Sequence, residues 1–206
     1  MKNIFLLLLL SLPFYGGAQV IDADALLDKA VAAMKTDAPL QMDYSYTVYD
    51  DDNTVVLHDK GVMRLDGKRY SVVMDKMGVW CDGETQWSYM LDIDEIYITD
   101  SSSDEAQSLS PLFIMENYRK GCVKTVEKKN DLAVVSLQTP LGSEIEKIQL
   151  YINADTYRLK AMDVIMPGQG RVKVMLDKYQ IKCNFASDVY QCPIEELNAS
   201  EIVDMR

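Results

Sequence analysis

The side chains that could carry out chemistry are few, and their spacing matches no familiar reaction centre. The single histidine stands in the polar stretch His58-Asp59-Lys60, whereas a serine nucleophile needs a histidine base within hydrogen-bonding reach. The sequence contains no G-x-S-x-G, and Gly168-Gln169-Gly170 is not followed by a helical pattern that would support a phosphate loop. Acidic residues are abundant but cluster in turns. We therefore predict no enzymatic activity, and an exported carboxylate-dependent hydrolase stays an alternative.

Four cysteines, Cys81, Cys122, Cys183 and Cys192, favour disulfide chemistry over metal binding. None of them forms a C-x-x-C pair, and with one histidine a zinc site is not expected, nor any other metal or cofactor. Cys183 and Cys192 flank a polar stretch that a turn could close. This predicts a disulfide between them, worth about 2–3 kcal/mol because the closed loop is short. The pairing of Cys81 and Cys122 stays open.

The N-terminal stretch predicts export. A positive start is followed by the continuous apolar run Ile4–Leu12 and then by small residues. The run is too short to span a bilayer, so residues 1–18 are predicted to be a signal peptide, with the mature chain beginning at Gln19. Residues 19–206 suit a single periplasmic domain. Their acidic balance, within a formal net charge of -11 for the whole chain, opposes binding to nucleic acid.

The mature chain is predicted to begin with an amphipathic helix that ends before Pro39. Asp22 or Asp24 can cap its first turn, and apolar residues follow at helical spacing as far as Lys35. This helix serves either as plain packing or as a lid across a sheet. Its apolar face includes Leu27, Val31 and Met34.

From Leu40 onward the apolar residues alternate, which predicts a meander of antiparallel strands. The stretch Val79–Ile98 is typical: Asp82-Gly83 predicts a tight turn, and Trp87 and Tyr89 share one face of the following strand. A polar stretch, Asp100–Ser110, then predicts a mobile loop. The short helix expected at Pro111–Tyr118 is so apolar that it must lie against a large apolar surface. Its central residues are Leu112, Phe113 and Ile114.

A second set of strands follows, and two of them change phase. The apolar positions shift near Ala161–Met162 and again between Leu176 and Tyr179, which indicates bulges. Long bent strands allow a sheet to curl around a cavity. We therefore predict a mainly β fold with a few helices, in which a curled antiparallel sheet forms an unclosed half-barrel with a helical lid over an apolar cavity.

Two stretches resemble the LolA family of periplasmic carriers of outer-membrane lipoproteins. One is the D-G-x-x-x-W-x-Y sequence that begins at Asp82, and the other is the tail, with Asn184-Phe185, Tyr190–Pro193 and Glu201–Arg206. The resemblance implies a soluble monomer that shields the acyl chains of lipoproteins or related lipids for transfer toward the outer membrane. It also implies an inner-membrane transporter and an outer-membrane receptor as partners. A lipid-sensing regulatory module on the same fold is an alternative.

The family carries an arginine-proline pair that contributes to cargo transfer, and this chain departs from it. Here Gly61–Leu65 leads to Asp66–Arg69 without a proline, so Lys68 or Arg69 is the candidate for that role. The chain's twelve methionines suit an adaptable lining, although several must simply fill a core. The alternation places the expected cavity lining on one common face, and a closed core is the competing interpretation. The expected lining consists of Met63, Leu65, Tyr70, Met74, Trp87, Tyr89 and Ile96.

Overall fold

Twelve strands form one sheet in the computed structural model of the chain, which describes residues 22–103, 115–116, 119–168 and 170–206. The expected signal peptide, its cut before Gln19, and most of the expected Pro111–Tyr118 helix lie outside the described residues. No helix in the described part of the chain is long and apolar enough to cross a membrane.

The described helices are α1 (Ala23–Asp37), a short 3-10 helix (Ser187–Tyr190) and α2 (Ile194–Leu197). The strands follow the predicted meanders and number β1 (Leu40–Tyr49), β2 (Val55–Asp66), β3 (Arg69–Met74), β4 (Met77–Cys81), β5 (Thr85–Met90), β6 (Glu95–Asp100), β7 (Val123–Lys129), β8 (Leu132–Gln138), β9 (Lys147–Asn153), β10 (Leu159–Met166), β11 (Gly170–Gln180) and β12 (Glu201–Asp204).

The sheet is unclosed, with the order β12-β6-β5-β4-β3-β2-β1-β11-β10-β9-β8-β7. Every pair is antiparallel except β12 and β6, which run parallel. The pairing of β1 with β11 joins the two meanders into one half-barrel. In the β1–β11 pair, Asp43 lies opposite Lys178 and Tyr44 lies opposite Leu176, so one residue of β11 is left over within the predicted Leu176–Tyr179 stretch. In the β10–β9 pair, the register shifts between Leu159 and Ala161. Both predicted bulges are therefore confirmed. The predicted fold class is confirmed.

Helix α1 forms as the sequence predicts, because its first turn is capped and one of its faces is apolar. The Asp22 carboxylate accepts hydrogen bonds from the backbone N–H groups of Asp24, at 2.9 Å, and Ala25, at 3.4 Å. The buried face of α1 packs on one side of the sheet, which we call the inner face; the opposite side is the outer face. The apolar residues buried along α1 are Ala23, Leu26, Leu27, Ala30, Val31 and Met34.

Both faces of the sheet carry apolar clusters. The inner cluster joins α1 to strands from both meanders, from β1 across to β9. The outer cluster is smaller and centres on Trp80, Tyr89, Ile96 and Ile98. The C-terminal tail covers it, packing Cys192, Ile194, Leu197 and Ala199 against the strands. The inner face therefore has α1 as its cover, and the outer face near β4–β6 has the tail.

Candidate functional site

A cavity of about 170 Å³ lies between α1 and the inner face of the sheet. We call it the inner cavity. Half of its ten lining residues are methionines, although the whole chain has only twelve. Methionine is unbranched and has three rotatable side-chain bonds, so such a wall can change shape at little cost. The lining consists of Met34, Met42, Tyr44, Met63, Val72, Met115, Leu159, Met162, Val174 and Leu176.

The inner cavity is closed on the side of α1 by buried side chains. Met34 comes from α1 and Met115 from the segment 115–116, and they are only 2% and 4% exposed. Met42, on β1 below them, is 1% exposed. A ligand in this space would be removed from water, and it would meet apolar groups on most sides.

Four residues of the predicted lining lie on the inner face. Met63 lines the inner cavity itself. Leu65 and Tyr70 are buried beside it in the inner cluster, and the Tyr70 hydroxyl donates a hydrogen bond to Gln86. Met74 follows Val72 by two residues on β3, so it shares the inner face but lies beyond the cavity.

The prediction that Trp87, Tyr89 and Ile96 share this face is wrong. Tyr89 and Ile96 belong to the outer cluster, and Trp87 packs against it. Along β5 the inner positions are taken by Gln86, which is 3% exposed, by Ser88, and by Met90 at the end of the strand. The large apolar residues face outward because the tail covers them there. Alternation alone identifies two faces but does not say which of them is covered by which later segment.

The predicted lid residues of α1 are all buried against the sheet: Leu27 is 0%, Val31 7% and Met34 2% exposed. Ion pairs with exposed carboxylates of α1 also hold the helix in place. Lys124 of β7 lies 2.9 Å from the Asp24 carboxylate, and Arg119 lies 2.5 Å from that of Asp28. Leu112, Phe113 and Ile114 lie outside the described residues. Of the same expected helix, residues 115–116 are helical, and Glu116 pairs with Lys35 at 2.7 Å.

The C-terminal end of α1 is fixed by a more buried pair. The Arg158 guanidinium donates two hydrogen bonds to Asp37, from Nε at 2.7 Å and from Nη2 at 3.1 Å. Asp37 is 8% exposed, and Arg158 also lies over the Tyr179 ring at 5.1 Å. The hydrogen bonds to Asp37 raise the pKa of Arg158 further above its ordinary value. This end of α1 is therefore anchored to the strand connection before β10.

Tyr44, on β1, lines the inner cavity, although the alternation in the sequence does not single it out. It pairs with Gly61 across β1 and β2, and a Cβ atom at Gly61 would come within 2.6 Å of the Tyr44 hydroxyl. Only glycine therefore allows the tyrosine to lie across β2 at this point. Tyr44 is 5% exposed, and its hydroxyl has no hydrogen-bond partner among the described residues. Burial, together with the nearby Asp59 charge, raises the pKa of Tyr44.

A second apolar depression, which we call the rim groove, lies on the inner face beyond Tyr44. Its volume is about 230 Å³. Several of its apolar residues are exposed: Leu57 is 42%, Met90 43% and Ile93 46% accessible. Lys76 and Asp92 stand at its edge, 3.9 Å apart. The groove is lined by Tyr46, Leu57, Asp59, Met74, Lys76, Met77, Met90, Asp92 and Ile93.

The two candidates for cargo transfer lie at the β2–β3 turn. Lys68 is exposed there, while Arg69 forms an ion pair with Asp66 and lies over the Tyr190 ring at 4.9 Å. Tyr190 is 1% exposed, and burial raises its pKa to about 12. Arg69 therefore helps to hold the tail on the sheet, and Lys68 is the more exposed of the two cations.

The predicted disulfide between Cys183 and Cys192 is wrong, because both are free thiols. The stretch between them is not a simple turn: it contains the 3-10 helix and the buried Tyr190, which packs edge-on against Phe185 at 6.2 Å. The backbone N–H of Cys183 donates to the Pro39 carbonyl, whereas Cys192 packs against the outer cluster. The two thiols thus belong to different parts of the structure.

Other side chains that could act as acids or bases lie away from the inner cavity. His58 is exposed on the outer side of β2, with its Nδ1 2.9 Å from the Thr47 hydroxyl. Asp163 is buried on the outer side of β10 and accepts a hydrogen bond from the Tyr151 hydroxyl at 3.0 Å. Within the described ranges, no group of three or more His, Cys, Asp or Glu side chains is placed to hold a metal ion.

The chain matches no protein-family model, and no curated protein matches it in sequence. It is similar in structure to an uncharacterized conserved protein of Thermus thermophilus, with a TM-score of 0.59 and 9% identity over 88% of this chain and 98% of the other. A LolA superfamily protein of Nitrosomonas europaea gives a TM-score of 0.45 and 10% identity, over 84% and 98% of the two chains.

A putative outer-membrane lipoprotein-sorting protein domain of Vibrio parahaemolyticus gives a TM-score of 0.42 and 11% identity, over 85% of this chain and 99% of the other. At these identities the similarities concern the fold alone. The fold, a single unclosed sheet with a helix on its inner face, is thus similar to that of the Thermus thermophilus protein.

Proposed function

We propose that this protein is a periplasmic carrier that shields acyl chains of lipoproteins, or of related lipids, in the inner cavity during transfer toward the outer membrane. The observation that carries the proposal is the methionine-rich, apolar cavity beneath α1, in which Met34, Met42 and Met115 are almost fully buried. An adaptable apolar lining suits a ligand with flexible hydrocarbon chains better than a ligand of fixed shape.

The energetics explain why such cargo needs a carrier. An acyl chain with about 15 methylenes, at about 0.8 kcal/mol each, resists exposure to water by roughly 12 kcal/mol. The inner cavity, at about 170 Å³, is smaller than the roughly 300–1,000 Å³ of typical ligand pockets. The inner cavity is therefore too small, as it stands, for a whole acyl chain. Cargo binding requires the methionines to change rotamer and α1 to move away from the sheet.

Transfer completes the proposed role. Lys68, exposed at the β2–β3 turn, is the proposed substitute for the family arginine, while Arg69 is engaged with Asp66. An inner-membrane transporter would load the monomeric carrier, and an outer-membrane receptor would accept the cargo. The expected signal peptide, residues 1–18, would direct the chain to the periplasm.

Displacement of a fluorescent acyl probe tests the proposal. A diacylated peptide should displace the probe from the mature protein, and the same peptide without acyl chains should not. Met63→Gln places an amide in the inner cavity and should weaken probe binding about tenfold, because an unpaired amide loses hydrogen bonds to water. Met175→Gln is the matched control, since Met175 is 39% exposed and does not line the cavity. A wild-type protein that takes up no probe would refute the proposal.

A further inference from the structure

The inner cavity and the rim groove are neighbouring spaces on one face of the sheet. On β1, Met42 lines the cavity, Tyr44 follows two residues later, and Tyr46 lines the groove. On β3, Val72 lines the cavity and Met74 the groove. Residues two apart on a strand share a face and lie about 6.6 Å from each other. The two spaces are therefore a single residue step apart.

The Tyr44 side chain occupies that step. It lies over Gly61, the residue of β2 that pairs with both Tyr44 on β1 and Met74 on β3. Because Gly61 has no side chain, Tyr44 alone fills the space that two facing side chains would otherwise occupy. Along β1 and β2, the Tyr44 ring is thus the side chain that separates the residues lining the cavity from those lining the groove.

The hydroxyl of that ring is poorly satisfied where it lies. It is buried, and it has no hydrogen-bond partner among the described residues. A buried hydroxyl without a partner disfavours the position that buries it, because the group would bond to water if it moved outward. Rotation of Tyr44 toward the exposed groove would satisfy the hydroxyl and would also remove the boundary.

We infer that the rim groove is the outer part of the acyl-chain site, and that Tyr44 is the movable partition that joins it to the inner cavity when a long chain binds. This inference rests on the proposed carrier function. The groove suits the end of a hydrocarbon chain, because Leu57, Met77 and Met90 supply apolar walls that are continuous with the inner face. Short chains fit within the cavity, and long chains need both spaces.

Competition with saturated fatty acids against the fluorescent acyl probe tests the inference. For the wild-type protein, affinity should rise from octanoate through dodecanoate to hexadecanoate, by up to about fourfold for each methylene removed from water. Met90→Glu places a charge in the groove at a half-exposed position that the fold tolerates. It should weaken hexadecanoate at least tenfold and leave octanoate unchanged.

Leu91→Glu is the matched control, because Leu91 is 49% exposed on the adjacent turn and does not line the groove. It should change neither affinity. Tyr44→Phe keeps the ring and removes the unsatisfied hydroxyl, so the partition should stay closed more firmly; hexadecanoate should weaken severalfold, and octanoate should not. Tyr44→Ala removes the ring, so the folded variant should bind hexadecanoate more tightly than the wild-type protein does.

Two results would overturn the inference in different ways. If octanoate and hexadecanoate bind and Met90→Glu affects both equally or neither, the groove is not part of the acyl site, while the carrier proposal survives. If no fatty acid displaces the probe because the wild-type protein binds none, the carrier proposal fails and the inference fails with it.

Discussion

Replacement of Ile96 by alanine separates the two faces of the sheet in one experiment. Alternation in the sequence favours Ile96 as a cavity residue, whereas the structure buries it, at 0% exposure, in the outer cluster beside Tyr89. If the structure is right, Ile96→Ala should reduce stability and leave acyl binding unchanged. If Ile96 lined the cavity, the same change should alter acyl affinity.

The size of the loss follows from the burial. Truncation of a fully buried isoleucine to alanine removes three carbons, worth about 0.8 kcal/mol each, and leaves a space that the neighbours fill only partly. Trp80 on β4 and the tail residue Leu197 pack against the same cluster, so the site has little freedom to collapse. We expect a loss of about 3 kcal/mol, or about 6–12 °C in Tm for a domain of this size.

Two measurements are needed: urea unfolding, which gives the stability of the variant, and titration of the folded variant with the acyl probe in the absence of urea. Ile202→Ala is the control, because Ile202 pairs with Ile96 across β12 and β6 but is 49% exposed. It should change stability by less than about 0.5 kcal/mol. A severalfold loss of probe affinity in folded Ile96→Ala, or a stability loss below about 1 kcal/mol, would refute the assignment of Ile96 to the outer cluster.

Three further predictions concern the anchoring of α1 and the tail. Asp37→Ala leaves Arg158 without its two hydrogen bonds and should destabilise the protein by about 2–3 kcal/mol in urea unfolding. The loss should be smaller than for a fully buried ion pair, because the Arg158 side chain is 30% exposed. An unchanged free energy of unfolding would contradict the anchoring role of this pair. Burial raises the pKa of Cys192 from 9.0 to about 11, so the stability that the neutral thiol contributes should be complete below pH 9.0 and be lost as pH rises toward 11. Burial also raises the pKa of Tyr190 to about 12, so Cys192→Ser should make the fall in stability over this range shallower without abolishing it. The ion pair of Lys124 with Asp24 is partly exposed, so Lys124→Gln should speed probe uptake in stopped-flow mixing at low salt, with the difference shrinking at high salt.

Local signals predicted much of the fold. The cap at Asp22 and the stop at Pro39 place α1 within the observed bounds, and Asp82-Gly83 marks the β4–β5 turn, where Gly83 has a φ of +103°. The phase shift near Ala161 appears as a bulge in the β10–β9 pair. Each of these features depends on residues close together in the chain, so a single sequence contains the information.

The errors concern contacts between distant segments. Trp87 faces outward because the tail, more than a hundred residues later, covers that side, and nothing near Trp87 in the sequence indicates it. The role of Tyr44 depends on the register that places Gly61 opposite it, which alternation cannot supply. The pattern did identify Met63 as a cavity residue, because both the alternation and the residue type favour that position.

The most direct test of the central claim is native mass spectrometry of the protein isolated gently from the envelope of its own host. The carrier account predicts a fraction of wild-type protein with bound species whose fragments contain acyl chains, and a smaller fraction for Met63→Gln but not for the exposed control Met175→Gln. Wild-type protein that is folded, carries no acyl species and gains none on incubation with a diacylated peptide would contradict it.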